Sequence, residues 1–398
     1  MINQDRLIKN MNNQPEPKHR TGLVMMGGGA RAAYQVGVLK AIAELVPDEA
    51  PSPFAVLCGT SAGAINATAL AANIMVYKKA IRRLLAIWEN FHVHHVYRSD
   101  LPGILKTGFR WLMAFILVGM GKHNPQYLFD RKPLRKLLEG HLNLKTIQSS
   151  IDSGILHAIS VSASGYTSGQ SVAFYQGKEN IQPWKRARRV GCKTDLTIEH
   201  LMASSAIPFI FEPVRINREY FGDGSMRQVA PISAALHLGA DKILVIGNRY
   251  ENREDKPVRE ITEGPPSIAQ IAGHVLSSIF LDALETDLER LQRINKTISL
   301  IPTHILEEGG IKLKQVDTLC ISPSEDIDMI ARKHVNHLPR TIRILLKGIG
   351  AYRKEGASLI SYLLFEKPYC CDLIELGYKD AMNQKSEIQQ LLGLEITQ

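Results

Sequence analysis

Short apolar runs alternate with helix-forming segments over the first 250 residues, and this alternation restricts the possible folds more than any other feature. Residues 23–26 are apolar, end in Gly27-Gly28-Gly29 and precede a helix-forming stretch. Residues 54–58 repeat the pattern before Gly59-Thr60-Ser61-Ala62-Gly63. Further strands are predicted at 155–162, 171–175 and 243–246. Short apolar strands separated by helices are typical of a mostly parallel sheet with helices on both faces, an α/β fold.

The chain divides into three predicted regions. Residues 1–20 are polar and lack the apolar run of a secretory signal, so we expect a flexible leader. Residues 21–250 carry the α/β pattern, and the polar stretch 251–266 is the best candidate linker. In 251–398 apolar residues recur at helical spacing, which predicts a mainly helical C-terminal extension. Its predicted helices include 276–291, 330–337 and 341–349.

Composition and charge narrow the classes of function. With 45% hydrophobic and 22% charged residues, the 398-residue chain can bury a sizeable core, which excludes general disorder. The net charge of +9 favours anionic partners. Since no nucleic-acid module accompanies the basic residues, we expect no nucleic acid and favour an anionic membrane surface over it. For each basic cluster the simpler interpretation is a solvated helix face or loop. The basic clusters are Lys78, Lys79, Arg82 and Arg83, then Lys185, Arg186, Arg188, Arg189 and Lys193.

The cysteines indicate the compartment. Five cysteines are scattered along the chain, an odd number without the spacing of a zinc site. A reduced, cytoplasmic location is therefore expected, with peripheral association with a membrane as an extension of it. No metal and no cofactor are predicted, and nothing in the sequence indicates an oligomeric state.

One uninterrupted apolar run, residues 111–121, allows two interpretations. Its eleven residues are too few for a membrane-spanning helix, which needs about 20. It is either a buried helix or hairpin, or part of an apolar lid or membrane-contact insertion near 101–125. Trp111 and Phe115, flanked by Arg110 and Lys122, suit contact with lipid.

The motif Gly59-Thr60-Ser61-Ala62-Gly63 places a serine between a predicted strand and a predicted helix. A sharp turn there exposes the hydroxyl at a helix N-terminus, where backbone N–H groups favour developing negative charge. Gly59 and Gly63 let the chain pass closely on both sides. This context favours a nucleophile over a plain tight turn.

The turn Gly27-Gly28-Gly29-Ala30-Arg31 also lies between a strand and a helix. Unobstructed backbone N–H groups suit an oxyanion hole or an anion nest. The spacing Gly27-x-Gly29-x-x-Ala32 also matches a dinucleotide fingerprint, which requires an acidic residue at the end of the second strand. Asp48 and Glu49 precede that strand instead, so a nucleotide site is disfavoured.

A serine nucleophile needs a base. The histidines after Ser61 have no distinctive setting, and we interpret His237 and His274 as structural or surface residues. Asp223 follows an apolar–aromatic run and precedes Gly224. By itself this pair fits a hairpin turn and a functional carboxylate equally well.

Taken together and in this order, the GGGAR turn, the GTSAG elbow, the SSAIPFIFEP segment and the Asp223-Gly224 pair resemble the patatin-like phospholipases over about residues 21–248. The resemblance implies a three-layer α/β fold, with Ser61 as nucleophile and Asp223 as its base. It also implies an oxyanion hole formed by Gly28, Gly29 and Ala30. We interpret Arg31 as a residue that orients the loop or attracts phosphate, with a structural ion pair as the alternative. Two departures are mild. Ala32 stands where the family commonly has glycine, and Ser225 stands where it commonly has glycine or alanine.

The predicted function is that of a lipid acyl hydrolase, a phospholipase A or a lysophospholipase-like esterase working through an acyl-serine. An acyltransferase with the same acyl-enzyme, and a non-catalytic lipid-binding or scaffold protein, are the alternatives. Because no histidine would need to be neutral, activity is expected to persist on the acid side of neutrality. A loss centred near the histidine pKa of about 6.5 would count against the Ser–Asp pair.

Overall fold

A computed structural model of the chain describes residues 19–98, 127–250, 267–308, 313–352 and 357–394. The predicted leader, apart from its last two residues, the predicted linker and the apolar run 111–121 lie outside the described residues. The described part is a mixed α/β structure with a central, mostly parallel sheet between layers of helices, which confirms the predicted fold class.

Ten strands form one sheet. They are β1 (Thr21–Met25), β2 (Val56–Thr60), β3 (Ala158–Gly165), β4 (Ser171–Gly177), β5 (Trp184–Arg186), β6 (Arg189–Lys193), β7 (Val214–Ile216), β8 (Glu219–Asp223), β9 (Lys242–Ile246) and β10 (Asp317–Ile321). The main order is β10-β9-β1-β2-β3-β4-β6-β5, and the first five of these strands run parallel. β8 pairs antiparallel with the end of β3 and with β7.

Fifteen α-helices are described in these ranges. They are α1 (Ala33–Leu45), α2 (Ala62–Ala71), α3 (Tyr77–Trp88), α4 (Val93–Val96), α5 (Lys132–His141), α6 (Lys145–Asp152), α7 (Ile198–Ser204), α8 (Ser233–His237), α9 (Ile268–Ser299), α10 (Thr303–Glu308), α11 (Ile327–His334), α12 (Arg340–Gly348), α13 (Ala357–Leu363), α14 (Lys367–Asn383) and α15 (Lys385–Leu392). Within the described part of the chain, none of them is long and apolar enough to cross a bilayer.

The sheet is buried on both faces, as its apolar strands predict. Leu23 and Met25 of β1 contribute to one apolar cluster, whereas Val24 and Met26 contribute to a second cluster on the opposite face. This division follows from the two-residue period of a strand. A parallel sheet covered in this way brings the ends of β1 and β2 to one edge, where Met25 lies beside Gly59.

The C-terminal region is helical, as predicted, but it also completes the sheet and the core. β10 extends the sheet beside β9, a strand that the helical pattern did not predict. α14 packs along α1, and the buried hydroxyl of Tyr34 donates a hydrogen bond to Asp380 Oδ2 at 2.9 Å. Residues from both ends of the chain therefore form one continuous apolar cluster.

Candidate active site

Ser61 lies in a strained turn directly after β2. Its φ of 55° and ψ of −127° are unusual for a non-glycine residue, and such geometry costs about 1–3 kcal/mol. The Ser61 N–H donates to Ser204 Oγ at 2.8 Å, and the Ser204 hydroxyl donates to the Ser162 carbonyl at 2.6 Å. These contacts tie the turn to α7 and β3, so the strain is held in place by neighbouring elements.

The two elbow glycines are required by close approach. A Cβ on Gly63 would collide with the carbonyl oxygens of Met25 and Met26, at the end of β1. A Cβ on Gly59 would collide with the backbone of Ala64. The sharp passage predicted for the motif is therefore built from backbone packed directly on backbone.

Asp223 is the hydrogen-bond partner of the Ser61 hydroxyl. Ser61 Oγ donates to Asp223 Oδ2 at 2.6 Å, and the Ser225 N–H donates to Oδ1 at 3.0 Å. Both side chains are buried. Asp223 is the last residue of β8, opposite Ala163, and a short 3₁₀ helix follows it. The Asp223-Gly224 pair is thus no hairpin turn, and it brings a carboxylate to the serine.

Burial raises the pKa of Asp223 to about 6, while hydrogen bonds from Ser61 and Ser225 and the charge of Arg131 act in the opposite direction. With a base of this pKa, activity would fall below about pH 6, whereas the sequence led us to expect that activity persists on the acid side. A buried carboxylate titrates close to the range of a free histidine, so loss of activity near pH 6 does not argue against a Ser–Asp pair.

Arg131 is a site residue that the sequence did not reveal. Its guanidinium is buried and donates to the carbonyls of Met202 and Glu212, each at 2.7 Å. Burial lowers its pKa to about 10, a value at which it still carries a positive charge at neutral pH. Nothing in the basic stretch around residue 131 distinguishes it from a surface arginine, because its burial arises from tertiary packing.

The glycine turn lies beside the serine. Gly29 and Ser61 line the same cavity. Gly29–Ala32 forms a short 3₁₀ helix, and Gly28 is its N-cap residue. No loop or turn hydrogen bond described for residues 19–98 uses the N–H of Gly28, Gly29 or Ala30 as donor. The first N–H groups of a helix have no partner inside it, so these amides suit an anion.

Arg31 is directed away from this cavity. Its buried guanidinium donates to Asp328 Oδ1 at 2.5 Å and to Ser361 Oγ at 2.7 Å, and it stacks on the ring of Tyr362. Of the interpretations offered for Arg31, these contacts fit the structural ion pair and support of the loop, and not the attraction of phosphate.

An apolar cavity extends from Ser61. It is enclosed mainly by α2, α3 and α5, with aliphatic and aromatic side chains such as Ile65, Leu84, Trp88, Leu138 and Phe211. A more open region continues from it toward the polar side chains of Asn73, Arg83 and His95. The cavity matches a hydrocarbon chain in character, and the serine is one of its lining residues.

The histidines considered as bases have other contacts. His237 bonds to the Ser233 carbonyl at 2.8 Å and stacks on Trp184, and His274 is exposed on α9. Burial lowers the pKa of His200 to about 4, and this ring caps its own helix at Thr197. Over the described ranges, no group of three or more histidine, cysteine or acidic side chains could hold a metal ion.

Comparison with known proteins assigns the chain to a family. The model of the patatin-like phospholipases matches residues 23–236, more than half of the chain. A cGAMP-activated phospholipase of Pseudomonas aeruginosa is 28% identical over 215 residues, which cover 54% of this chain and 55% of that protein. The match thus spans about half the length of this relative.

Two solved structures resemble the chain more distantly. VipD of Legionella pneumophila aligns with a TM-score of 0.35 and 15% identity over 95% of this chain and 67% of its own. ExoU of Pseudomonas aeruginosa, in complex with SpcU, aligns with a TM-score of 0.27 and 14% identity over 94% of this chain and 80% of the solved chain. These scores are too low to carry an argument. The extent of the family match is sufficient by itself: the chain belongs to the patatin-like phospholipase family.

Proposed function

We propose that this protein is a lipid acyl hydrolase that cleaves carboxylic ester bonds with Ser61 as nucleophile and Asp223 as base. The observation that carries the proposal is the 2.6 Å hydrogen bond from Ser61 Oγ to Asp223 Oδ2, which is buried and adjoins an apolar cavity lined by Ser61. Membership of the phospholipase family and the similarity to a cGAMP-activated phospholipase support the same class of reaction.

In the first half-reaction, Ser61 Oγ attacks the ester carbonyl carbon while its proton passes to Asp223 Oδ2. The carbonyl oxygen becomes an oxyanion, which the N–H groups of the glycine turn stabilise. As the tetrahedral intermediate collapses, the bond to the leaving alcohol breaks and the alcohol takes the proton from Asp223. An acyl-serine remains.

In the second half-reaction, Asp223 accepts a proton from water, and the hydroxide adds to the acyl-serine. Collapse of this intermediate returns the proton to Ser61 Oγ and releases the fatty acid. A base pKa of about 6 suits both steps, because the carboxylate is mostly ionised at pH 7 and is a stronger base than an ordinary aspartate.

The apolar cavity supports a long acyl chain as the bound part of the substrate. Each methylene transferred from water into such a cavity contributes about 0.8 kcal/mol of binding free energy. Ile207 and Phe211 line this cavity, and Ile207 directly follows Ala206, whose carbonyl accepts the Asp223 N–H.

We also propose that the rim of this site meets an anionic lipid surface. Phe209 is 77% exposed and has a φ of 63°, and it lies three residues from Ala206, whose carbonyl accepts the Asp223 N–H. Three residues span at most about 11 Å, so this aromatic side chain is close to the site. Tyr166 is about half exposed, and its partial burial together with the charge of Asp223 raises the pKa of this tyrosine.

Exposed cations accompany these aromatic residues. Tyr220 is half exposed on β8 opposite Arg215, and Arg218 is exposed in the same hairpin. Aromatic rings with neighbouring arginines suit the headgroup region of an anionic bilayer. The cluster that begins at Lys78 is a weaker candidate, because Lys78 and Lys79 pair with Asp48 and Glu49 at 2.5 and 3.3 Å.

The test of the proposed function is release of fatty acid from a panel of phospholipids, lysophospholipids and glycerides by the wild type and by Ser61→Ala. We expect release by the wild type only, with the preferred lipid identifying the substrate. Release by both proteins, or by neither, would overturn the assignment. Transfer of the acyl group to an added alcohol without release of acid would identify an acyltransferase instead.

A further inference from the structure

The glycine turn is held from behind by the C-terminal region. Arg31, two residues after Gly29, extends across the chain to α11 and α13, about 300 residues further along the sequence. Arg31 directly follows the residues whose N–H groups would bind the oxyanion, and neither Arg31 nor its partners line the apolar cavity.

The network around Arg31 is dense. Arg31 Nε donates to Ser361 Oγ at 2.9 Å, and Nη2 donates to Asp328 Oδ1 at 2.5 Å and to Ser358 Oγ at 3.2 Å. The Ser361 hydroxyl is also within 2.8 Å of Asp328 Oδ1 and donates to it. The guanidinium carbon lies 4.1 Å from the ring centroid of Tyr362. The Arg31 side chain is therefore fixed in position and orientation.

The backbone of the turn touches the same helix. Gly29 has a φ of 55°, and a Cβ there would collide with the Tyr362 carbonyl. The turn is thus pressed against α13 at Gly29 and bonded to it through Arg31. Movement of α13 or α11 would displace the N–H groups of residues 28–30.

We propose that Asp328 and Ser361 are positioning residues for the reaction at Ser61, acting through Arg31 to hold the turn N–H groups where the oxyanion forms. The inference rests on the proposed function. A displacement of about 1 Å in a positioned group can lower the rate a hundredfold, so loss of this ion pair is expected to slow the chemical step. Asp328 neither lines the apolar cavity nor contacts Ser61, and its side chain is 31% exposed.

This role predicts a kinetic signature that a purely structural ion pair lacks. The oxyanion exists only after attack, so its N–H donors stabilise the transition state more than the bound ester. Loosening the turn should lower kcat and leave KM nearly unchanged, because these N–H donors act on the oxyanion and not on the bound ester. A general loss of folding would reduce the active fraction and the melting temperature instead.

The experiment compares the wild type with Asp328→Asn, Asp328→Glu and Ser361→Ala, using a water-soluble short-chain p-nitrophenyl ester. The matched control is Asp241→Asn, which removes the carboxylate paired with Lys314 at the start of β9, the opposite edge of the sheet from the glycine turn. We expect kcat to fall about 10- to 100-fold in Asp328→Asn, with KM within about twofold, and Asp328→Glu to recover part of it. Ser361→Ala, which keeps the ion pair, is expected to lose about three- to tenfold in kcat.

Active-site titration with a fluorophosphonate corrects each kcat for the folded fraction. Full kcat per labelled site in both Asp328→Asn and Ser361→Ala would overturn the positioning role, as would an equal loss in Asp241→Asn. If Asp328→Asn does not fold, Ser361→Ala and Asp328→Glu decide alone. Failure of the proposed function is seen separately, as a wild type that neither hydrolyses the ester nor labels at Ser61.

Discussion

The two sides of the site are built in different ways. The elbow and the glycine turn consist of contiguous residues in strand–turn–helix units, and neighbouring parallel strands place them together. The C-terminal support consists of single side chains, such as Asp328 and Ser361, on helices remote in sequence. The comparison teaches that the reacting groups are encoded locally, whereas the rigidity of the turn depends on tertiary packing.

The largest expected effect comes from the reacting side. Replacing Ser61 with alanine or Asp223 with asparagine should lower kcat/KM by at least about a thousandfold, because nucleophile and base act as one unit. Activity assays on a soluble ester measure this loss. Folding should survive in Asp223→Asn, since the substitution removes a buried charge, and its melting temperature at pH 8 is expected to equal or exceed that of the wild type. A strongly lowered melting temperature would show that Asp223 is chiefly structural.

The supporting side should respond next most strongly, and in stability as well as rate. Gly29→Ala forces a side chain into positive φ and against the Tyr362 carbonyl, so we expect a loss of about 2–4 kcal/mol in the free energy of unfolding. Urea unfolding measures it. The control is Gly348→Ala in α12, where a Cβ meets open space and helix propensity favours alanine. Equal stability of the two variants would contradict the close packing of the turn on α13.

The pH dependence of activity and that of the free energy of unfolding report on two separate roles of Asp223. Activity should fall as pH drops through about 6, since protonated Asp223 accepts no proton. The folded-state pKa lies above the ordinary value of 3.8, so the folded protein binds more protons than the unfolded chain in the range between the two values. The contribution of Asp223 to stability therefore rises as pH falls from about 6 toward 4. Comparing pH titrations of unfolding for the wild type and Asp223→Asn isolates this contribution, and an opposite sign would refute the buried carboxylate.

The smallest expected effect concerns the rim. Phe209→Asp and Arg218→Glu should each weaken binding to anionic phosphatidylglycerol vesicles and lower vesicle hydrolysis by about three- to tenfold, because a buried aromatic contact or a surface charge contributes about 1 kcal/mol. Hydrolysis of the soluble ester should stay at the wild-type rate. Leu300→Asp, at a residue just after α9 that is 78% exposed, serves as the control. Unchanged vesicle binding in both rim variants would remove the membrane-surface proposal.

The sequence predicted the parts of this molecule that depend on local pattern. The strand–turn–helix units at Gly28 and Ser61 follow from apolar runs ending in glycine, and the structure has both. Arg131 could not be found in this way, since its burial follows from carbonyls of α7 and of the loop before β7 converging on it. β10 was also missed, because five residues within a helical region carry too little periodicity to indicate a strand.

The pairing of Ser61 with Asp223 is intermediate between these cases. Each residue had a recognisable local motif, but only the resemblance joined them, and Asp223 alone fitted a turn equally well. The raised pKa of Asp223 could not be predicted from the sequence, because it results from burial, which is a property of the fold. An exposed aspartate would keep its ordinary, lower pKa.

The most direct test of the account is the rate of covalent reaction of a fluorophosphonate with the protein, followed by mapping of the adduct by mass spectrometry. The reagent forms a bond to the nucleophile and requires the base, but it needs no particular lipid. We predict a single adduct on Ser61 in the wild type, none in Ser61→Ala and labelling at least about a hundredfold slower in Asp223→Asn. An adduct on another residue, or an undiminished rate in Asp223→Asn, would contradict the Ser61–Asp223 pair.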